Sequence, residues 1–163
     1  MYKRQQLAKS LGTHGLTEIE ALLREIEEDP RDVRGVVRVL FLCGSFGRVY
    51  PTAAPLCEQL LRRYLGRHPR LSVAVGAAAV EIGRAPGDVG VPFRDEILVQ
   101  LLSEPGDAGD AEAVIGWVLN ALLDNAIALG DRLKAAVSAI ADGSAPDSDV
   151  IRDKARKLLG RSQ

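Results

Sequence analysis

The sequence predicts an all-α fold made of paired helices, and three observations predict it. Apolar residues recur at three- and four-residue spacing, helix start and stop signals fall between those runs, and no segment sustains an alternation of period two. Aromatic residues, which favour strands, make up only 4% of the chain. The chain has 163 residues, 47% of them apolar and 26% charged, which suffices for a core without covalent staples. With 21 basic and 22 acidic residues the net charge is −1, which speaks against a surface given over to nucleic acid or anionic membrane. No stretch approaches the roughly 18 apolar residues of a membrane span, and no signal-type segment is recognised. Two cysteines, Cys43 and Cys57, cannot build a disulfide framework, so a cytoplasmic setting is expected.

The elements follow in order. Met1 to Gln5 match the codon read-through of a transposon-derived sequencing adapter and are expected to be non-native. Gln6 to Leu11 with Gly12 read as the end of a helix whose beginning is missing. The chain is therefore expected to be an N-terminally truncated fragment, with one helical-repeat domain over residues 6–163. Leu16, Ile19, Leu22, Leu23 and Ile26 mark the first helix, with Thr17 and Glu20 as its capping box. Asp29-Pro30 stops that helix and starts the next, which carries Val33, Val36, Val37 and Leu40 and is expected to end at Gly44. A third helix, from Thr52 to Leu65, places Leu56, Leu60, Leu61 and Tyr64 inward, before Gly66 and Pro69 break it. A fourth, from Arg70 to Ile82, is apolar nearly all round, as a helix covered on several sides would be, and Gly83 stops it. After a loop over 84–91, the fifth helix runs from Pro92 to Ser103 with Ile97, Leu101 and Leu102. A second loop spans 104–109. The sixth helix, from Asp110 to Asp124, carries Val114, Trp117, Val118, Ala121 and Leu122. The seventh, from Asp131 to Ala141, carries Leu133, Val137 and Ile140. A turn over 143–147 leads to the eighth, from Ser148 to Leu159, stopped by Gly160.

These helices form pairs over 16–44, 52–83, 92–124 and 131–160. Val37, Gly76, Gly116 and Ala155 lie in the second helices at steps of 39, 40 and 39 residues, and are small enough for close helix approach. Leu22, Leu61, Leu101 and Ile140 lie in the first helices at the same steps. One pair cannot cover its own apolar side, so the pairs are expected to stack, with the fourth helix in the middle. Arg152, Asp153, Lys154, Arg156 and Lys157 suit a polar C-terminal cap, and the N-terminal side shows no comparable one.

This period, with Asp32-Val33-Arg34 and the run Asp149-Val150-Ile151-Arg152-Asp153-Lys154-Ala155-Arg156-Lys157-Leu158-Leu159, resembles the HEAT and armadillo class of helical repeats. The resemblance implies a right-handed α-solenoid of about four antiparallel helix pairs. It also implies a non-catalytic scaffold that binds another protein through a concave face lined by the second helices. Peptide-binding armadillo proteins often carry a Trp and an Asn four residues apart. Trp117 and Asn120 are three apart and occur once, which departs from that ladder.

Chemistry is sparse. His14 and His68 read as loop residues, without zinc-like spacing to a cysteine or carboxylate. Cys43 and Cys57 lie on apolar faces and read as buried, inert thiols. No nucleophile elbow or phosphate loop is present, so no catalytic residue, metal or cofactor is expected. Arginine outnumbers lysine, 16 to 5. Arg31, Arg34 and Arg38 share a helix face, and Arg152 and Arg156 mirror the last two, three repeats on. Arg62, Arg63, Arg67 and Arg70 cluster around a turn with Tyr64 and His68. The candidate concave-face residues are Arg34, Arg38, Arg70, Trp117, Asn120, Arg152 and Arg156, flanking Val73, Ala77, Ala113 and Trp117. Arginine and tryptophan are favoured interface anchors, but Trp117 also reads as core, in phase with Val114, Val118 and Ala121. The alternative partner is nucleic acid, bound as in helical-repeat glycosylases, with Arg62 to Arg70, Trp117 and Asp124 as the groove.

Overall fold

In the first unit, glycine placement sets how two of the helices meet. The structure, a computed structural model, describes residues 12–27, 33–143 and 148–161. The expectations for residues 1–11, and for Pro30 and Arg31, lie outside the described residues. Among the described residues there are eight α-helices and no strand. They are α1 (Gly15–Glu27), α2 (Val33–Val49), α3 (Ala54–Arg62), α4 (Pro69–Ile82), α5 (Val91–Ser103), α6 (Ala108–Asp124), α7 (Asp131–Ala141) and α8 (Asp149–Gly160). Short 3-10 turns precede α1, α3 and α5. The chain divides into two compact units, residues 1–94 and 95–163, with the boundary falling within α5.

In the first unit α2 packs on α1, α3 and α4, and its contact with α4 is the most extensive. The sequence places the end of α2 at Gly44, yet the helix runs on to Val49. A Cβ at Gly44 would sit 2.5 Å from the Cα and 2.9 Å from the carbonyl oxygen of Ala78. One turn on, a Cβ at Gly47 would lie 2.9 Å from the Ile82 side chain. Glycine here admits a neighbouring backbone rather than stopping a helix. Each such glycine costs about 1 kcal/mol of helix propensity, which the contact with α4 offsets. Val36, Val39, Leu40, Cys43 and Phe46 of α2 are buried beside it. On α4 the buried face is Leu71, Ala74, Val75, Ala78, Ala79 and Ile82.

Local chemistry fixes the ends of α4. His68 is its N-cap in extended conformation, and its Nδ1 accepts the Arg70 N–H at 3.1 Å. Pro69 takes the first helical position, where no N–H is missed. Gly83 closes the helix. The loop then returns so tightly that a side chain on Gly90 would collide with the Ile82 carbonyl, which only glycine tolerates.

Three expectations in this unit are corrected. The helix α1 starts at Gly15, after a 3-10 turn over Gly12–His14, so Thr17 is an exposed residue inside the helix rather than its cap. Leu56 is 55% exposed and Leu22 40%. Ala54, Cys57 and Leu61 form the inward stripe of α3, and Leu56 is turned about 100° from Cys57 on the helix. The described exposed side chains of α1 include Thr17, Glu18, Arg24 and Glu25 beside Ala21 and Leu22.

In the second unit α8 packs on both α7 and α6. Ile151, Ala155 and Leu158 form its buried stripe, while Val114, Ile115, Val118, Leu119 and Leu122 of α6 are buried. Asp153, Arg156 and Lys157 face solvent, as an amphipathic helix with one apolar side would arrange them. Gly116 faces open space, so the expected close approach is absent at that position, while Gly76 and Ala155 of the same column are buried. The closest approach falls instead at Gly44 and Ala78. The helix α6 ends in a Schellman arrangement with alanine in the left-handed position. Ala126 has φ +48°, the Ile127 N–H reaches the Leu122 carbonyl at 3.2 Å, and the Ala126 N–H reaches that of Leu123 at 3.4 Å.

In the first unit α2 packs on α4, and in the second α6 packs on α8. Two glycines on such helices are therefore expected to respond oppositely to alanine. Gly44→Ala must push α4 away and should destabilise by about 1–3 kcal/mol, whereas Gly116→Ala, in open space, should be neutral or stabilising by up to about 1 kcal/mol. Urea unfolding of both variants followed by circular dichroism checks this, and a Gly44→Ala variant as stable as the parent would contradict the close contact.

Candidate functional site

The seven candidate residues divide between the units. Arg34 and Arg38 are exposed one turn apart at the start of α2, and Arg70 is exposed in the first turn of α4. The two helices run parallel, because Gly44 meets Ala78, Gly47 meets Ile82, and Arg48 pairs with Glu81. Extending that register backwards brings the Arg34 turn level with His68. Arg34, Arg38 and Arg70 therefore share one end of the α2–α4 layer. Val73 and Ala77 continue the half-buried side of α4.

The far end of the same layer is closed by an ion cluster that sequence reasoning missed. Glu81 accepts from Arg48 at 2.9 Å and from Arg84 at 2.7 Å. Its side chain is only 13% exposed, so the two guanidiniums supply the partners that a mostly buried carboxylate requires. One signal was available: Glu81 is the first acid after Glu58, at the end of an otherwise apolar helix.

On α6, Ala113, Trp117, Asn120 and Asp124 form one stripe at helical spacing. Trp117 is half-buried, and the other three are exposed. On α8, Arg152 donates to Asp149 at 2.7 Å, and Arg156 donates to Asp153 at 3.2 Å. Both arginines are engaged by an acid three residues upstream on their own helix. The Arg152 guanidinium, through its hydrogen bond and then its charge, holds the exposed Asp149 carboxyl below the ordinary carboxylate range. The mirror image of Arg34 and Arg38 is therefore one of spacing only, since no ion pair to a described residue is seen for either of those two arginines.

The turn between α3 and α4 gathers further arginines. Arg62, Arg63, Arg67, His68 and Arg70 are all exposed. The Arg62 guanidinium lies 5.1 Å from the centre of the Phe93 ring, and that of Arg67 lies 5.2 Å from the centre of Tyr64. The Gly66 N–H donates to Ser72 Oγ at 3.0 Å, which satisfies a buried hydroxyl. Charge in this chain is partitioned in a way its total conceals. Residues 1–94 hold 14 basic and 10 acidic side chains, and residues 95–163 hold 7 and 12.

Cys43 and Cys57 are both free and buried. The Cys43 thiol lies 3.9 Å from the Cys57 carbonyl oxygen. The Cys57 side chain and burial push the Cys43 thiol up, away from the thiolate. His14 is exposed. Among the described residues no group of three or more His, Cys, Asp and Glu is placed to hold a metal ion. No described helix is long and apolar enough to cross a membrane.

Two outcomes follow from this geometry. An aromatic disulfide reagent at mildly alkaline pH should leave both native thiols unreacted and titrate both in denaturant, so rapid native reaction would contradict their burial. For Asp149, the lowered native value means that its pairing supports the fold above the ordinary carboxylate range and is lost as pH falls through the native value. Replacing Arg152 by alanine should return the Asp149 titration, followed by carboxyl NMR shifts, upward towards that range.

No family model, no curated protein and no solved structure matches the chain.

Proposed function

We propose that the chain is a non-catalytic HEAT-like repeat module that serves as a protein–protein interaction scaffold. The observation that carries this reading is the packing of second helix on second helix in each unit, α2 on α4 and α6 on α8. In the HEAT-like class that the repeat period resembles, stacked pairs would form a right-handed solenoid with the second helices on its concave side. In that reading each unit carries its own candidate residues on these helices: Arg34, Arg38 and Arg70 in the first, and Asn120 and Arg156 with the half-buried Trp117 and Arg152 in the second. Arginine and tryptophan there are suited to anchoring a partner. The buried free thiols Cys43 and Cys57 suit a reducing cytoplasm.

Nucleic acid is the second reading, favoured by the four arginines of the α3–α4 turn. Its binding would weaken steeply with salt, because phosphate contacts release counterions. The discriminating experiment is capture by the tagged full chain from a lysate, with and without nuclease, followed by reconstitution with the purified partner. The protein reading expects a nuclease-resistant partner at stoichiometric yield that binds the parent and fails to bind a folded Arg34→Glu, Arg38→Glu variant. A partner that vanishes with nuclease would overturn it, and unchanged binding by the variant would move the site away from α2.

A further inference from the structure

The charge of the first unit is concentrated at one corner. Between Glu58 and Glu81 there is no acidic residue, and four arginines, Arg62, Arg63, Arg67 and Arg70, fall within nine positions. All four are exposed, as is His68. We propose that the α3–α4 corner is the docking site for a carboxylate-rich segment of the partner protein. This rests on the scaffold reading and adds the chemistry of what the scaffold holds.

Three features of the corner select that ligand. First, most of its backbone donors are already used. The N–H groups of Gly66, Arg67 and Arg70 go to Ser72 Oγ, the Tyr64 carbonyl and His68 Nδ1. Those of Leu71 and Ser72 both go to the His68 carbonyl. Recognition is therefore left to guanidinium groups, whose planar N–H forks match carboxylates in pairs. Second, Arg62 and Arg67 stack on Phe93 and Tyr64, and that stacking limits the rotamer freedom lost on binding. Third, both rings are buried, with 3% and 4% of their surface exposed. They offer no free face to a nucleobase, and base stacking is a large part of how single strands are held. A short acidic segment need cover only the corner.

The test is fluorescence anisotropy with the full chain at low salt. The probes are a labelled peptide of alternating Asp and Glu, its Asn and Gln counterpart, and a labelled single-stranded oligothymidylate of equal length. The acidic peptide should bind at least roughly tenfold tighter than both others and weaken as salt rises. Arg63→Glu with Arg70→Glu should weaken it by at least roughly tenfold, while Arg132→Glu in the second unit should leave it within about twofold. The milder pair Arg63→Gln, Arg70→Gln repeats the test if the charge reversal unfolds the chain. Absence of acidic-peptide binding, equal or tighter oligothymidylate binding, or indifference to the corner substitutions overturns the proposal. Partner capture in the nuclease experiment can still succeed in each of those cases, so failure at the corner is separable from failure of the scaffold reading.

Discussion

The backbone contact between Gly44 and Ala78 is the constraint from which the first unit follows. Two helices with ordinary side chains at the crossing pack with axes about 8–10 Å apart. Glycine on one side and alanine on the other let main chains approach closely, and Gly47 extends the approach to Ile82 one turn later. This fixes the parallel register of α2 and α4. Register in turn sets what meets at the two ends of the layer. At one end Arg48 and Arg84 close on Glu81. At the other, Arg34, Arg38 and Arg70 stand exposed. Closure and exposure are two results of one alignment.

Much of the helical order was legible in the sequence, because apolar spacing and stop signals are local properties. The helix Asp131–Ala141 has the bounds its pattern gives, and α4 differs by the single residue Pro69. What the pattern could not give is the use to which a glycine is put. Gly83 ends a helix, whereas Gly44 lies inside one and meets a neighbour 34 positions away. Both look alike to a rule that sees only the residues alongside. Leu56 shows the same limit: its type says inward, but Ala54, Cys57 and Leu61 had already settled which side of a short helix is covered.

Charge was the least legible feature, for an arithmetic reason. A total of −1 averages a basic first unit with an acidic second one. The sign of a surface depends on where the chain divides, and that division falls inside α5 rather than at a loop. The candidate arginines likewise separate only once partners are known. Arg152 and Arg156 share the spacing of Arg34 and Arg38, yet acids on the same helix engage them. Surface pairs of that kind contribute little stability, but they compete with a partner for the arginine's donors.

The wiring of the packing has a kinetic consequence. Within each unit the helices that pack are neighbours or next neighbours along the chain. Even the Gly44–Ala78 contact closes a loop of only 34 residues. The entropy lost in closing a loop rises only slowly with its length, and chains dominated by such short-range contacts reach the native state in microseconds to milliseconds. A newly made chain so wired exposes its apolar stripes only briefly, because each helix meets its partner soon after both have been synthesised.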